Sequence, residues 1–258
     1  MGKNKLKKFA EMKTFGCVVE CPRTELESDS FRYKGAWRSD FFHSSSPVVL
    51  ELGCGKGEYT VGLALRHPDR NYIGIDIKGA RIHNGASRVE RERIANAGFL
   101  RTEIELLDRF FAPGEVSEIW ITFPDPQMKK VNKRLTSTRF CEMYRRVMGS
   151  DGIVNLKTDS PFLYEYTRRM AALNGMEILR DTDDLYGSGG ADEETSIKTH
   201  YECQWLSRGK KIKLLVFRLN GSVSPLREPD VADLEKDDYR ALPRFNPAEA
   251  LAEGTLQL

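Results

Sequence analysis

The sequence contains no run of about 18 consecutive apolar residues, which is the length that a membrane-spanning helix needs. Its first residues are basic, and the apolar stretch of a secretory signal peptide does not follow them. Leu6 stands where an N-myristoylation signal has Ser or Thr, so a myristoyl anchor is not predicted. The sequence therefore predicts a cytoplasmic protein that is not associated with a membrane.

Cysteine and histidine are scarce, with five cysteines and four histidines in 258 residues. The odd cysteine count and the lack of any C-x-x-C pair argue against a disulfide framework and against a structural zinc site. These features predict reduced thiols and no bound metal.

An excess of one charge is also missing, because 40 basic and 38 acidic side chains give a net charge of +2. The charges are nevertheless unevenly placed. Residues 228–258 hold eight acidic and three basic side chains, so the rest of the chain holds 37 basic and 30 acidic ones, a net charge of +7. A moderately basic body is compatible with a nucleic-acid partner, since Lys and Arg neutralise phosphates. It does not require one, because many solvated surfaces have this balance.

We divide the chain into three parts. Residues 1–46 are a basic N-terminal arm and a connecting segment, and the arm is either an amphipathic helix or a segment that contacts phosphate. Residues 47–220 alternate strand and helix patterns, which predicts an α/β domain with a mainly parallel sheet and helices on both faces. Residues 221–258 are acidic and interrupted by prolines, which predicts a flexible or loosely packed extension.

A glycine-rich turn follows the first predicted strand of this domain. Residues 48–52 are typical of a strand buried on both faces, and Gly53, Gly55 and Gly57 follow in G-x-G-x-G spacing before a helical pattern. Such a turn lets a nucleotide-like ligand approach the backbone N–H groups at the helix start. The spacing is not the G-x-G-x-x-G of dinucleotide-binding folds, and Glu51 precedes it. Because glycine-rich turns also occur without a ligand, the turn alone leaves ligand binding open.

Two acids follow the next predicted strands. Asp76 ends the second strand, at residues 72–76, where a carboxylate in such folds accepts hydrogen bonds from a ribose diol. Its alternative role is to cap the following helix, and the two roles are compatible. Glu103 follows a third strand that begins at residue 99, and it either meets an adenine amine or belongs to a solvated helix start.

The most specific segment is Phe-Pro-Asp-Pro at residues 123–126, after a fourth predicted strand at residues 118–123. The two prolines stiffen the loop, so the carboxylate of Asp125 is held at the carboxyl edge of the sheet, where this fold binds ligands. Four bases follow this acid: Lys129, Lys130, Lys133 and Arg134. A stiff acid beside four bases suits a ligand with a base to read and phosphates to neutralise, and the alternative is a charged surface loop.

Two later segments bring polar residues to the same edge. Asp159 follows a fifth predicted strand, at residues 153–156, and is either a second functional carboxylate or a turn acid. A polar, glycine-rich loop at residues 181–195 precedes Thr-His-Tyr-Glu at residues 199–202. His200 is either part of a polar constellation or a surface histidine.

Four motifs in this order resemble the bacterial tRNA (guanine-N7-)-methyltransferase family. They are E-L-G-C-G-K-G at residues 51–57, F-P-D-P-x-x-K-K at 123–130, L-K-T-D at 156–159 and T-H-Y-E at 199–202. The resemblance implies a Rossmann-like class I methyltransferase domain with a mainly parallel seven-stranded sheet, an antiparallel last strand and helices on both faces. It also implies that S-adenosylmethionine is the cofactor and that tRNA receives the methyl group, on N7 of guanine 46 in the variable loop.

The resemblance further implies roles for individual residues. The cofactor-binding positions are Glu51, Gly53, Gly55, Gly57, Asp76, Glu103 and Asp125, and Asp125 is also the catalytic position. The substrate-binding positions are Lys129, Asp159, Thr199, His200, Tyr201 and Glu202. From their charge we add contacts to the RNA backbone by Lys130, Lys133 and Arg134.

The sequence departs from the family pattern at the loop. Gln127 and Met128 replace the Trp-Pro of many members, and the basic segment is about two residues shorter, which bears on RNA contact rather than on the donor site. Three alternatives stay open: a methyltransferase for another RNA, one for a small molecule, and a non-catalytic tRNA-binding protein. A nicotinamide-dependent oxidoreductase is disfavoured by the glycine spacing. The sequence does not decide between a monomer and a homodimer.

Overall fold

In the part of the chain that the structure describes, eight strands form a single sheet. The computed structural model describes residues 3–238 except residues 23, 25, 27–30, 150 and 222. The strands are β1 Val18–Glu20, β2 Val48–Leu52, β3 Asn71–Ile75, β4 Ala97–Arg101, β5 Val116–Thr122, β6 Ile153–Thr158, β7 Ile178–Thr182 and β8 Lys213–Arg218. Their order across the sheet is β1-β4-β3-β2-β5-β6-β8-β7. All neighbours are parallel except that β8 runs antiparallel to β6 and β7.

The mainly parallel sheet and the antiparallel last strand are confirmed, whereas the predicted strand number is one too low. The additional strand is β1, which pairs with β4 at the edge of the sheet, Val18 lying opposite Phe99. It falls within residues 1–46, where the sequence predicted an arm and a connecting segment. Three residues are too few to show the alternation that identifies a strand, so only the pairing reveals it.

Helices cover both faces of the sheet. They are α1 Lys3–Met12, α2 Glu58–Arg66, α3 Gly79–Glu92, α4 Leu107–Phe110, α5 Thr138–Met148, α6 Pro161–Leu173 and α7 His200–Ser207. Short helical turns occur at Trp37–Phe41, Ile104–Leu106 and Val131–Lys133. The sequence of residues 79–97 predicts one long amphipathic helix, but α3 ends at Glu92, because Arg93 adopts a left-handed conformation with φ of 54°.

Strand β2 lies in the centre of the sheet and all five of its residues are buried. Leu50 points into the apolar cluster that includes Tyr144 of α5 and Tyr166 of α6. Its neighbour Val49 points the other way, into the cluster that includes Tyr59 of α2. Because successive side chains of a strand point to opposite faces, one continuous apolar run packs against the helices on both faces of the sheet.

The N-terminal segment is packed onto the domain. Helix α1 buries Met12 while Leu6 remains 58% exposed, so the amphipathic-helix interpretation holds, and contact with phosphate stays a prediction. Trp37 is fully buried, stacks on the Phe111 ring at 5.3 Å and donates from Nε1 to the Phe110 carbonyl at 2.9 Å.

Residues 223–238, here called the C-terminal strap, lie against α5 and α6. Leu226 is part of the apolar core, and Asn174 at the end of α6 exchanges hydrogen bonds with the backbone of Arg227 in both directions. The strap therefore packs against two helices through specific contacts, although its sequence has no periodic pattern. Residues 239–258 lie outside the described residues, and the division of the chain into three parts stays a prediction.

Cys17, Cys54, Cys141 and Cys203 are free thiols. Within residues 3–238, as far as they are described, no helix combines the length and the apolar character needed to cross a membrane.

Replacing Gly57 by Ala should destabilise the protein more than replacing Gly53. Both residues have positive φ, +72° and +77°, where Ala costs roughly 1–2 kcal/mol. A Cβ on Gly57 would lie 2.6 Å from the Phe99 ring and 3.2 Å from the Gly85 Cα, whereas a Cβ on Gly53 meets no atom within 4 Å. We therefore expect a further loss of roughly 1–3 kcal/mol in Gly57→Ala. Urea unfolding measures both free energies, and equal values would contradict the packing argument.

Candidate active site

Three glycines carry the chain from β2 into α2. Gly53, Gly55 and Gly57 have φ of +77°, +54° and +72°, a region that residues with a side chain rarely adopt. The N–H groups of Gly53 and Cys54 donate to the Ile75 carbonyl at 2.8 and 3.0 Å, which ties the turn to β3. A Cβ on Gly53 would meet no atom within 4 Å. The turn therefore presents backbone, without side chains, to an open space.

Glu51 of β2 is buried with 3% of its surface exposed. One carboxylate oxygen accepts hydrogen bonds from the Thr60 backbone N–H at 2.8 Å and from the Thr60 hydroxyl at 2.5 Å. The other oxygen accepts from the Thr122 hydroxyl at 2.7 Å. Burial raises the pKa of Glu51 to about 7, although these hydrogen bonds act in the opposite direction. Glu51 thus links β2 to α2 and β5, and its contact with a methyl donor stays a prediction.

Asp76 follows β3 and holds the neighbouring turns. Its Oδ2 accepts from the Gly55 N–H at 3.1 Å, and its Oδ1 accepts from the Lys78 N–H at 2.7 Å. The carboxylate therefore fixes both the glycine turn and the residue before α3. Each carboxylate oxygen has a further lone pair, so this structural role leaves the predicted contact with ribose possible.

Two of the clefts at the carboxyl edge of the sheet share a wall. The first has a volume of about 500 Å³ and is lined by acidic side chains that follow β3 and β4, namely Asp76, Glu103 and Glu105. The second has a volume of about 380 Å³ and is lined on one side by α7. Four residues line both clefts: Gly53, Arg81, Phe123 and Asp125. The exposed carboxylate of Asp125 therefore lies between the two clefts.

Residues 123–128, here called the acceptor loop, have an unusual backbone. Phe123 and Gln127 adopt φ of 50° and 48°, which costs energy for residues other than glycine. The Phe123 N–H donates to the Lys157 carbonyl of β6 at 2.8 Å, and Asp125 Oδ1 accepts from the Gln127 N–H at 3.1 Å. Such a conformation persists only where surrounding contacts hold it.

Arg134 joins the acceptor loop to the body of the protein. Its Nε donates to the Pro126 carbonyl and its Nη2 to the Gln127 carbonyl, each at 3.1 Å, and its guanidinium stacks over the Tyr166 ring at 4.0 Å. Only 2% of Arg134 is exposed, which corrects the prediction that it contacts the RNA backbone. Of the other bases, Lys133 pairs with Glu105 at 2.8 Å, and Lys129 and Lys130 are exposed.

Lys157 and Glu202 form a buried ion pair beneath the second cleft. Their side chains are fully buried with a Nζ–Oε1 distance of 2.8 Å, and Lys157 Nζ also donates to the carbonyls of Thr195 and Ile197 at 2.7 and 2.9 Å. Glu202 also completes a capping box with Thr199 at the start of α7. In this structure Glu202 has no surface for a substrate, which corrects its predicted direct contact and makes it a support for Thr199.

The other predicted substrate residues are placed differently from one another. Thr199 and Tyr201 line the second cleft. His200 is exposed and does not line either cleft, while its backbone N–H donates to Glu58 Oε2 at 2.9 Å. Asp159 is buried with 1% exposed and does not line either cleft, so direct contact with a substrate does not fit its position here.

Sequence reasoning missed several residues of this site. Arg81, Trp205 and Arg208 line the second cleft, and the Arg81 guanidinium lies 5.9 Å from the centroid of the Tyr201 ring. Trp205 and Arg208 follow Tyr201 at positions i+4 and i+7, which places the three residues on one face of a helix. This spacing could have identified Trp205 and Arg208 from the sequence. Lys157 gave no such signal, because its partners come from a distant loop.

The strand order, the glycine turn and the paired clefts at the carboxyl edge define a class I methyltransferase fold. Two solved structures share this fold. An antibiotic-related methyltransferase has a TM-score of 0.52 and 17% identity, with coverage of 79% of this chain and 96% of that chain. A 16S rRNA methyltransferase has a TM-score of 0.53 and 16% identity, with coverage of 78% and 94%. No group of three or more His, Cys, Asp or Glu side chains among the described residues could hold a metal ion.

Sequence comparison is more specific. A family model described as a putative methyltransferase matches residues 45–215. The tRNA (guanine-N(7)-)-methyltransferase of Porphyromonas gingivalis is 53% identical over 93% of this chain and 99% of its own length. The proteins of the same name from Bacteroides fragilis and Oceanobacillus iheyensis are 52% and 35% identical, over 95% and 72% of this chain and 96% and 86% of their own lengths. The chain belongs to the tRNA (guanine-N(7)-)-methyltransferase family.

Glu51→Gln should remove a pH-dependent part of the stability. Because burial raises the pKa of Glu51 from 4.5 to about 7, its contribution to stability is fully present below about pH 4.5 and is lost as the pH rises to about 7. The Tm of the variant relative to wild type should therefore increase between pH 5 and pH 8. Thermal unfolding at these two pH values measures the change, and a constant difference in Tm would contradict the raised pKa.

Lys157→Met should destabilise the protein by about 3–5 kcal/mol, because it leaves the buried carboxylate of Glu202 without its cation. The double variant Lys157→Met with Glu202→Gln buries no charge and should regain much of this loss. Urea unfolding of both single variants and the double variant gives the coupling free energy. Purely additive losses would show that the pair acts only through packing.

Proposed function

We propose that this protein transfers a methyl group from S-adenosylmethionine to N7 of a guanine in tRNA, with Asp125 as the catalytic residue. The observation that carries the proposal is the position of Asp125 in the wall between two clefts, where a donor and a base would meet. The names of the relatives from P. gingivalis and B. fragilis support the reaction and the substrate. From the resemblance of the motifs we assign guanine 46 of the variable loop as the target.

The first cleft fits the donor. Gly53 offers backbone without a side chain, Asp76 would accept hydrogen bonds from the ribose hydroxyls, and Glu103, which lines the same cleft, would meet the adenine amine. When bound, the donor supplies a methyl carbon attached to a positively charged sulfur. The residues at this end of the cleft therefore need only bind and orient it.

The second cleft fits a purine base. Tyr201 is 37% exposed and lines this cleft with Trp205, so α7 offers aromatic surface for stacking, which is worth roughly 1–3 kcal/mol per base. We infer that these rings take the place of the Trp that many family members have where this chain has Gln127. Arg81, at the junction of the clefts, adds positive charge for a phosphate next to the base.

The chemistry requires orientation more than proton transfer. Guanine N7 has a lone pair and no proton, so its lone pair can form the new bond to carbon while the carbon–sulfur electron pair leaves with sulfur. The positive charge moves to the purine, where the Asp125 carboxylate stabilises it and accepts hydrogen bonds from N–H groups of the base. Alignment of the two reactants can then supply roughly 7–11 kcal/mol.

The surface next to the acceptor loop supplies contacts for the tRNA backbone. Lys129 and Lys130 are exposed there, and Lys133 keeps more than half of its side chain exposed beside Glu105. Their positive charge neutralises phosphates and makes binding dependent on salt. A tRNA substrate supports our inference that the protein acts in the cytoplasm.

Asp125→Asn should lower kcat for methylation of tRNA by roughly 100- to 1000-fold, because it removes the charge that stabilises the methylated purine. Donor affinity should change little, since the first cleft keeps its other contacts. The measurements are incorporation of labelled methyl groups into tRNA, identification of 7-methylguanosine after digestion, and calorimetric titration of the donor.

Asp69→Asn is the matched control, because Asp69 is exposed in the turn that precedes β3, at the opposite edge of the sheet. Full activity of Asp125→Asn would refute its catalytic role. Methylation of a metabolite or of another RNA in preference to tRNA would replace the proposed substrate. Binding of tRNA without methyl transfer by the wild-type protein would identify a non-catalytic tRNA-binding protein.

A further inference from the structure

The C-terminal strap begins after β8 and is fastened along α5 and α6. Arg145 donates from Nη1 to the Val223 carbonyl at 3.2 Å, and the Leu226 N–H donates to Glu142 Oε1 at 2.9 Å. Arg169 of α6 holds Asp233 through two hydrogen bonds of 2.7 and 2.8 Å. The strap therefore follows a defined path along two helices.

The strap reaches the acceptor loop directly through Asp237. The backbone N–H of this residue donates to the sulfur of Met128 in the acceptor loop at 3.1 Å. Its side chain is buried and accepts hydrogen bonds from the Ser160 hydroxyl at 2.5 Å and the Phe162 N–H at 3.3 Å. Asp237 thus joins the acceptor loop to the start of α6, next to Asp159.

A second route runs from the strap to the same loop through Glu228. One oxygen of Glu228 accepts from the N–H and the hydroxyl of Thr138 at 3.0 and 2.6 Å, and the other accepts from the Tyr166 hydroxyl at 2.6 Å. The Tyr166 ring lies under the Arg134 guanidinium, which donates to the carbonyls of Pro126 and Gln127. Two separate chains of contacts therefore connect the strap to the acceptor loop.

The acceptor loop needs such support, because two of its residues, Phe123 and Gln127, hold left-handed backbone conformations that they would leave without restraint. Arg134 restrains the loop from its C-terminal side, and Met128 is the position at which the strap adds its own contact. The loop carries Asp125, whose position between the clefts sets the geometry of transfer.

We propose that the C-terminal strap holds the acceptor loop in the conformation that methyl transfer requires, with Asp237 as a positioning residue that is anchored on Ser160 and acts on Asp125 through Met128. The role in catalysis rests on the function proposed above, whereas the mechanical contact between strap and loop does not. The strap therefore belongs to the acceptor side of the site, although it is remote in sequence from every motif.

The test compares Asp237→Ala with Asp238→Ala, since Asp238 is the exposed neighbour of the same charge. Hydrogen exchange of peptides that cover residues 123–136 should become faster in Asp237→Ala and stay unchanged in Asp238→Ala. The kcat for tRNA methylation should fall roughly 10- to 100-fold in Asp237→Ala, because a small displacement of a positioned group has an effect of this size. The donor dissociation constant should stay close to that of wild type, since the first cleft is untouched.

Three further measurements make the outcome decisive. Asp237→Asn, which keeps one acceptor oxygen, should recover part of kcat. In an Asp125→Asn background, Asp237→Ala should cause little additional loss, because both changes act on the same group. If Asp237→Ala does not fold, Tyr166→Phe replaces it, because this variant breaks the contact with Glu228 and keeps the ring beneath Arg134.

Unchanged hydrogen exchange of the loop in the folded variant would overturn the proposal, and so would faster exchange with an unchanged kcat. An additive loss in the Asp125→Asn background would overturn the link to Asp125. A wild-type protein that does not methylate tRNA would refute the proposed function alone, because hydrogen exchange tests the contact between strap and loop without any turnover.

Discussion

The buried carboxylate of Glu51 is the contact on which the geometry of both clefts depends. It joins β2 to Thr60 in the first turn of α2 and to Thr122 at the end of β5. The glycine turn begins two residues after Glu51, and the acceptor loop begins directly after Thr122. In a low-dielectric interior, hydrogen bonds to such a group are strong and their loss is costly. The donor side and the acceptor side of the site are therefore fastened to a common point.

The acceptor loop is held from outside, because its own backbone is strained. Arg134 donates hydrogen bonds to the carbonyls of Pro126 and Gln127, and the strap adds a contact at Met128. The opposite wall of the second cleft is fastened in a different way, by the buried pair of Lys157 and Glu202 under the start of α7. Rigid walls of this kind suit a reaction in which the alignment of donor and base supplies most of the rate acceleration.

Part of this site could be predicted from local patterns. A continuous apolar run, three glycines at alternate positions and an acid after the next strand are short-range signals, and the structure places Asp76 and the glycine turn at one sheet edge as expected. The bracketing prolines correctly indicated an exposed Asp125 at that edge. Strand β1 and the early end of α3 at Arg93 were not predicted, because a three-residue pairing and a single left-handed residue leave no periodic pattern.

The sequence by itself therefore determined the α/β fold and the order of its motifs, since backbone propensity and apolar periodicity act over a few residues. Whether a charged side chain faces solvent or serves the interior was decided only by the tertiary structure. Arg134 and Lys133 are neighbours in one basic run, yet Arg134 stacks on Tyr166 while Lys133 remains at the surface. The buried carboxylate of Glu202 pairs with Lys157, which lies 45 residues away in the sequence. Such partners come from segments that are distant in the sequence. The free-energy cost of burying a charge is offset only when the fold brings the charged side chain and its partner into contact.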